Sequence, residues 1–185
     1  MKSLHKLGKY HNLNKLNKIA NNSCYHAKFF DGFIDPFPSH DVFYEESSYA
    51  LWGTLGVKWH IDDICEDRKY SIILVVQSDS FELYSSVVDD NTLTKLLKEY
   101  TPFRSMDDQI DSLLVQRKDT QRLVLKTGDI LLLDISCYHK LENTKKTEKP
   151  FIFFTLDIDF IPRVKEAIKV VNYFVHDFFA INHCD

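Results

Sequence analysis

The stretch RLVLKTGDILLLD, Arg122 to Asp134, holds two short apolar runs separated by Thr127, Gly128 and Asp129. Each run is too short for a helix of usual length, and a Gly-Asp pair between such runs marks a turn, so the segment reads as strand, turn, strand. Outward from it the same texture repeats. Tyr49–Trp59 (YALWGTLGVKW), Lys69–Gln77 (KYSIILVVQ), Phe81–Val88 (FELYSSVV) and Pro150–Phe160 (PFIFFTLDIDF) read as β segments. Ala27–Phe37 (AKFFDGFIDPF) reads as a further short strand with a turn. Pro150 stands at the first residue of its strand, where a missing N–H is tolerable.

Helical spacing is confined to other places. Asn91–Tyr100 and Met106–Arg117 carry apolar residues at helical intervals and form a helical insertion over about 89–122. Val164, Ala167, Ile168, Val171, Phe174, Val175 and Phe178 form one stripe of a C-terminal helix over 163–180, to be buried on a sheet or used in a dimer. Strands that follow one another without alternating helices predict a mainly β protein with flanking helices. Its core is a double-sheet jelly roll or related barrel rather than a βαβ fold. Neither the Rossmann nor the P-loop glycine pattern occurs.

At 185 residues the chain suits one domain, with a core over about 27–160 and a basic segment over 1–26. A net charge of -4 gives no global attraction to nucleic acid or anionic membrane. Lys2, Lys6, Lys9, Lys15 and Lys18 precede any acid. The plainer reading of that segment is a solvated amphipathic helix or a frayed terminus, not a nucleic-acid arm. Cys24, Cys65, Cys137 and Cys184 are scattered, so neither a disulfide framework nor a zinc knuckle is expected. No membrane span or secretory signal is legible, and the expected location is cytoplasmic.

The chemistry concentrates at GVKWHIDD, Gly56 to Asp63. On a strand, residues i and i+2 share a face, so His60 and Asp62 point the same way while Ile61 points away. An imidazole and a carboxylate so placed can fill two coordination positions of a metal, and a distant histidine would complete the 2-His-1-carboxylate set of non-haem iron sites. His139 is the candidate, because it follows the buried strand and precedes the last one. The plainer alternative makes His60 and Asp62 a hydrogen-bonded surface pair and His139 a loop residue. Asp63 competes with Asp62 only if the strand has already broken.

These residues resemble the Fe(II)/2-oxoglutarate-dependent oxygenases built on a double-stranded β-helix. The family carries H-x-D, a distal histidine and then a basic residue at the last strand. Here the pattern reads HID at His60–Asp62, YHK around His139, and EKPFIFF with Lys149 ten residues after His139. A lysine in this place looks like the prolyl 4-hydroxylase branch. The resemblance covers about 45–160 and implies Fe(II) held by His60, Asp62 and His139. It further implies 2-oxoglutarate anchored by Lys149, O₂ as co-reactant and ascorbate as an optional stimulant. Lys145 and Lys146 compete for the anchoring role, but they fall in a solvated loop.

The family's cosubstrate-bonding tyrosine has no clear counterpart. With Ser71, Ile73 and Val75 inward, Ser71 is the substitute donor, and Tyr49 and Tyr70 are the other candidates. The expected activity is hydroxylation of a C–H bond in an amino acid, peptidyl residue or small metabolite, with succinate and CO₂ as coproducts. Substrate contacts are expected around Arg68 and in the helical insertion. Trp52 and Trp59 read as core, and Cys137 as a small buried residue. The rivals are a metal-binding jelly roll without turnover, a cupin-type dioxygenase and, motivated only by the lysines, a nucleic-acid demethylase.

Overall fold

The structure, a computed structural model, describes residues 2–21, 48–53, 56–62, 69–88, 90–97, 105–146, 149 and 151–181. The strand expected over 27–37, Arg68 and Pro150 lie outside the described residues. The described chain is mainly β. Nine strands run β1 (Leu4–Lys9), β2 (Ser48–Gly53), β3 (Val57–His60), β4 (Tyr70–Gln77), β5 (Phe81–Ser86), β6 (Gln121–Val124), β7 (Asp129–Asp134), β8 (Tyr138–Asn143) and β9 (Phe151–Ile158). Four helices accompany them: α1 (Leu13–Asn21), α2 (Asp90–Leu97), α3 (Met106–Val115) and α4 (Val164–Ile181).

The strands form two antiparallel sheets that stay open rather than closing into a barrel. The larger has the order β1-β7-β4-β9-β2 and the smaller β3-β8-β5-β6. Side-chain alternation sorts the larger sheet into two cores. Ile72, Leu74, Ile130, Leu132 and Ile152 face outward under α1 and α4. Ile73, Val75, Leu131, Leu133 and Phe151 face inward toward Phe81 and Leu83 of the smaller sheet. A strand covered on both sides needs apolar residues at every position, which is why the runs in β4 and β7 are continuous.

Part of the α4 stripe packs on the chain itself: Ala167, Val171 and Val175, together with Val170, are buried in the outer core beside Leu16 and Ile19 of α1. The helical insertion lies elsewhere. Leu93 of α2 and Leu114 of α3 pack with Val88, Trp59 and Tyr138 on the outer face of the smaller sheet.

Several features differ from expectation: Tyr49–Trp59 divides into β2 and β3 in different sheets, and β8 is a strand that the sequence reading does not contain. The basic N-terminal segment is an edge strand followed by a helix, because Lys6 Nζ lies 2.7 Å from the fully buried Asp129 carboxylate while Leu4 and Lys9 pair with Leu133 and Asp129 of β7. Its lysines suppress the apolar alternation by which a strand is recognised. The turn after β6 does not join partners: β6 pairs with β5, and β7 pairs with β1 and β4. The chain there crosses from one sheet to the other through Gly128, whose φ of 88° favours glycine. No described helix is long and apolar enough to cross a membrane.

Candidate metal centre

Among the described residues β3 is a short edge strand that pairs only with β8, and its register shifts between Val57 and His60. Plain alternation would put Val57 and His60 on opposite faces. The shift brings both inward and leaves Trp59 on the outer face. His60 pairs directly with His139 at the start of β8, and the two rings lie 4.3 Å apart, centroid to centroid. Asp62, just past the end of β3, reaches both: His60 Nε2 is 3.2 Å from one carboxylate oxygen and His139 Nε2 is 3.6 Å from the other.

The rings are oriented from behind. His60 Nδ1 is 2.7 Å from the Lys58 carbonyl, and His139 Nδ1 is 3.0 Å from the Cys137 carbonyl. A carbonyl can only accept, so each Nδ1 carries the hydrogen and each Nε2 is turned toward Asp62. Metal-binding histidines are held in this way, with the second ring nitrogen bonded to a carbonyl or carboxylate.

The group meets a direct test of fit. One ligand atom from each of His60, Asp62 and His139 lies within 4.8 Å of the others. Metal–ligand bonds of about 2.0–2.2 Å put adjacent ligands roughly 3 Å apart, so small side-chain rotations close the set around an ion. Two imidazoles and one carboxylate leave further positions open.

The environment shifts the two imidazoles in opposite directions. Asp62 holds the His60 imidazolium by a hydrogen bond, which raises the His60 pKa against the opposing effect of burial. Burial pushes the Asp62 carboxyl upward, but the His60 hydrogen bond and the charges of both histidines outweigh it and leave the value lowered. Burial dominates at His139 and lowers its pKa, despite the Cys137 carbonyl and the nearby carboxylates. The shared carboxylate thus favours a proton on His60, while burial disfavours one on His139.

The triad opens onto a cavity of about 250 Å³ between the sheets. Ser71 lines it, as its inward parity in β4 predicts, and so does Thr155, with which Ser71 forms a buried hydroxyl–hydroxyl hydrogen bond. Thr155 was readable from its parity with Phe151 and Phe153. The rest of the wall is largely apolar, including Ile73, Leu131 and Phe153.

Lys149 is exposed and does not line the cavity, and no other lysine or arginine does among the described residues. Nor does any described residue of α2 or α3, so the described parts of these helices stand behind the histidines instead of facing the cavity. Cys137 is buried, its thiol pushed up to about 11 chiefly by burial, and it serves the site through its carbonyl. Asp111 of α3, which sequence patterning did not single out, accepts from the Trp59 indole at 2.9 Å directly behind His60. Compared with known proteins, the chain matches no family model and no curated sequence, so the reading of this centre rests on its own residues.

Proposed function

We propose that this protein is an Fe(II)- and 2-oxoglutarate-dependent dioxygenase that hydroxylates a C–H bond of an amino acid, peptidyl residue or small metabolite. The observation that carries the reading is a pair of histidines, each pinned at Nδ1 by a backbone carbonyl, aimed with one aspartate into a cavity between two sheets. The fold agrees with a double-stranded β-helix: from β2 to β9 the chain passes repeatedly between the sheets, as a jelly roll does.

His60, Asp62 and His139 would hold the iron. When bound, iron and 2-oxoglutarate supply the oxidising chemistry, with succinate and CO₂ as coproducts. The chain's own residues set the conditions. The Lys58 and Cys137 carbonyls orient the imidazoles. Any proton that His60 Nε2 shares with Asp62 would have to leave before that nitrogen could donate to a metal. The apolar wall keeps the space beside the site poor in water. Ser71 and Thr155 offer hydroxyls to a carboxylate oxygen. Lys149 is assigned to the distal carboxylate by the resemblance alone, since it stands ten residues beyond His139 but does not line the cavity.

The absence of a cation from the described cavity lining favours a second reading, a metal-binding jelly roll that takes a ligand without turning over 2-oxoglutarate. The two separate in one assay. Succinate formation from 2-oxoglutarate under air with Fe(II) and ascorbate is expected for the wild type. It should vanish in His60→Ala and need more 2-oxoglutarate in Lys149→Ala. No turnover, together with no 2-oxoglutarate binding to the metal-loaded protein by calorimetry, would put the binding-protein reading first.

A further inference from the structure

We propose that Asp111 is a positioning residue for the metal centre, acting from α3 on the strands that carry both histidines. The proposal rests on the metal-binding reading of His60, Asp62 and His139. Its basis is that β3 is held weakly by its own ladder. It is an edge strand of four residues, and its register with β8 is broken between Val57 and His60. Few backbone pairs therefore fix where His60 sits relative to His139. A bond from outside the ladder has correspondingly more to hold.

Alternation supplies the place for that bond. Trp59 precedes His60 and Lys140 follows His139, so both point to the face opposite the histidines. There one oxygen of Asp111 receives both, at 2.9 Å from the Trp59 indole nitrogen and 2.6 Å from Lys140 Nζ. A single carboxylate oxygen thus ties β3 to β8 one residue away from each metal-binding side chain.

The clamp is set in a rigid frame. Lys140 is buried, lies 4.7 Å above the Tyr84 ring and 5.7 Å from the Trp59 ring centroid, and pairs with Glu142 at 3.1 Å. Above it, α3 is fixed by Ile110, Leu113 and Leu114 in the cluster that includes Trp59 and Tyr138, the residues immediately before His60 and His139. Lys58 also meets Asp107 of α3 at 2.5 Å, but that pair is exposed and contributes little. Asp111 is the point where the frame meets both strands.

The test uses Co(II) added to the metal-free full chain, followed by its d–d absorption and by calorimetry. Asp111→Ala is expected to weaken Co(II) binding about tenfold or more and to alter the absorption bands, as loss of a group that orients metal ligands does. Asp111→Asn, which keeps an acceptor oxygen for the indole, should fall between. Trp59→Phe, which removes only the indole donor, should shift the bands in the same direction. Asp119→Ala, which breaks a pair with Arg117 beyond the end of α3, is the control and should leave Co(II) binding unchanged.

If the wild type takes up no Co(II) in a His60-dependent way, the metal reading itself fails. If the wild type binds Co(II) and Asp111→Ala melts earlier with the same affinity and spectrum, Asp111 serves stability alone and the positioning proposal is overturned. Should Asp111→Ala not fold, Asp111→Asn and Trp59→Phe decide, and wild-type bands and affinity in both would overturn it.

Discussion

Two backbone carbonyls decide what His60 and His139 can do. By accepting from Nδ1, Lys58 and Cys137 commit each Nε2 to the Asp62 side, and the hydrogen bond to Asp62 raises the His60 pKa. Removing the carboxylate should therefore lower the His60 pKa. In an NMR titration of the metal-free protein, Asp62→Ala is expected to return the His60 ring signals toward the ordinary imidazole range, and an unmoved His60 would show that the Lys58 carbonyl alone raises it. The sign for stability follows. With its folded value raised, His60 contributes stability that is fully present below its unfolded-state pKa and is lost as pH rises through the folded value. Asp62, with its value lowered, contributes above its unfolded-state pKa and loses that contribution as pH falls through the folded value. The group His60, Asp62 and His139 was legible from the H-x-D pattern and from the place of His139 between two strands; parity did not carry it, because β3 ends at His60 and Asp62 lies just beyond. The register shift in β3 was not legible, because nothing in VKWH distinguishes a regular strand from an irregular one.

At the scale of elements, the turn after β6 shows how one residue joins the layers. Gly128 carries the chain between sheets at a φ of 88°, and a Cβ there would lie 2.7 Å from the Tyr10 carbonyl oxygen. That carbonyl belongs to the segment that ties the N-terminal region to the turn, since the Tyr10 amide donates to the Gly128 carbonyl at 2.7 Å. Gly128→Ala should cost about 1–2 kcal/mol for the left-handed backbone alone, and more for the contact with main chain. Urea unfolding measures it, and a loss below that range would mean that the turn relaxes. The strand–turn–strand pattern was visible in RLVLKTGDILLLD, yet its partners were not, because local sequence sets a turn's chemistry and long-range pairing sets its neighbours. The insertion follows the same logic. Helical period identified α2 and α3, but an apolar stripe does not say which surface it meets, and the described parts of both pack behind the histidines.

For the whole molecule, the larger sheet divides the apolar residues into an outer core under the helices and an inner core facing the smaller sheet. The continuous apolar runs in β4 and β7 are buried on both faces, and the paired sheets reveal that the faces differ in kind. The outer core is filled by α1 and α4, whereas the inner one borders the cavity beside the triad. Equal truncations on the two faces should then have unequal consequences. Ile152 and Leu131 are both fully buried, the first outward and the second inward. Ile152→Ala and Leu131→Ala should each lower stability by about 2–5 kcal/mol in urea titration. Only Leu131→Ala enlarges the space next to the His60, Asp62 and His139 group. It alone should change the binding of a small apolar probe such as benzene, measured by calorimetry, while Co(II) affinity stays at the wild-type level in both. If Ile152→Ala changed probe binding to the same degree, the two cores would communicate through the sheet, and the division into a stabilising face and a ligand-facing one would fail.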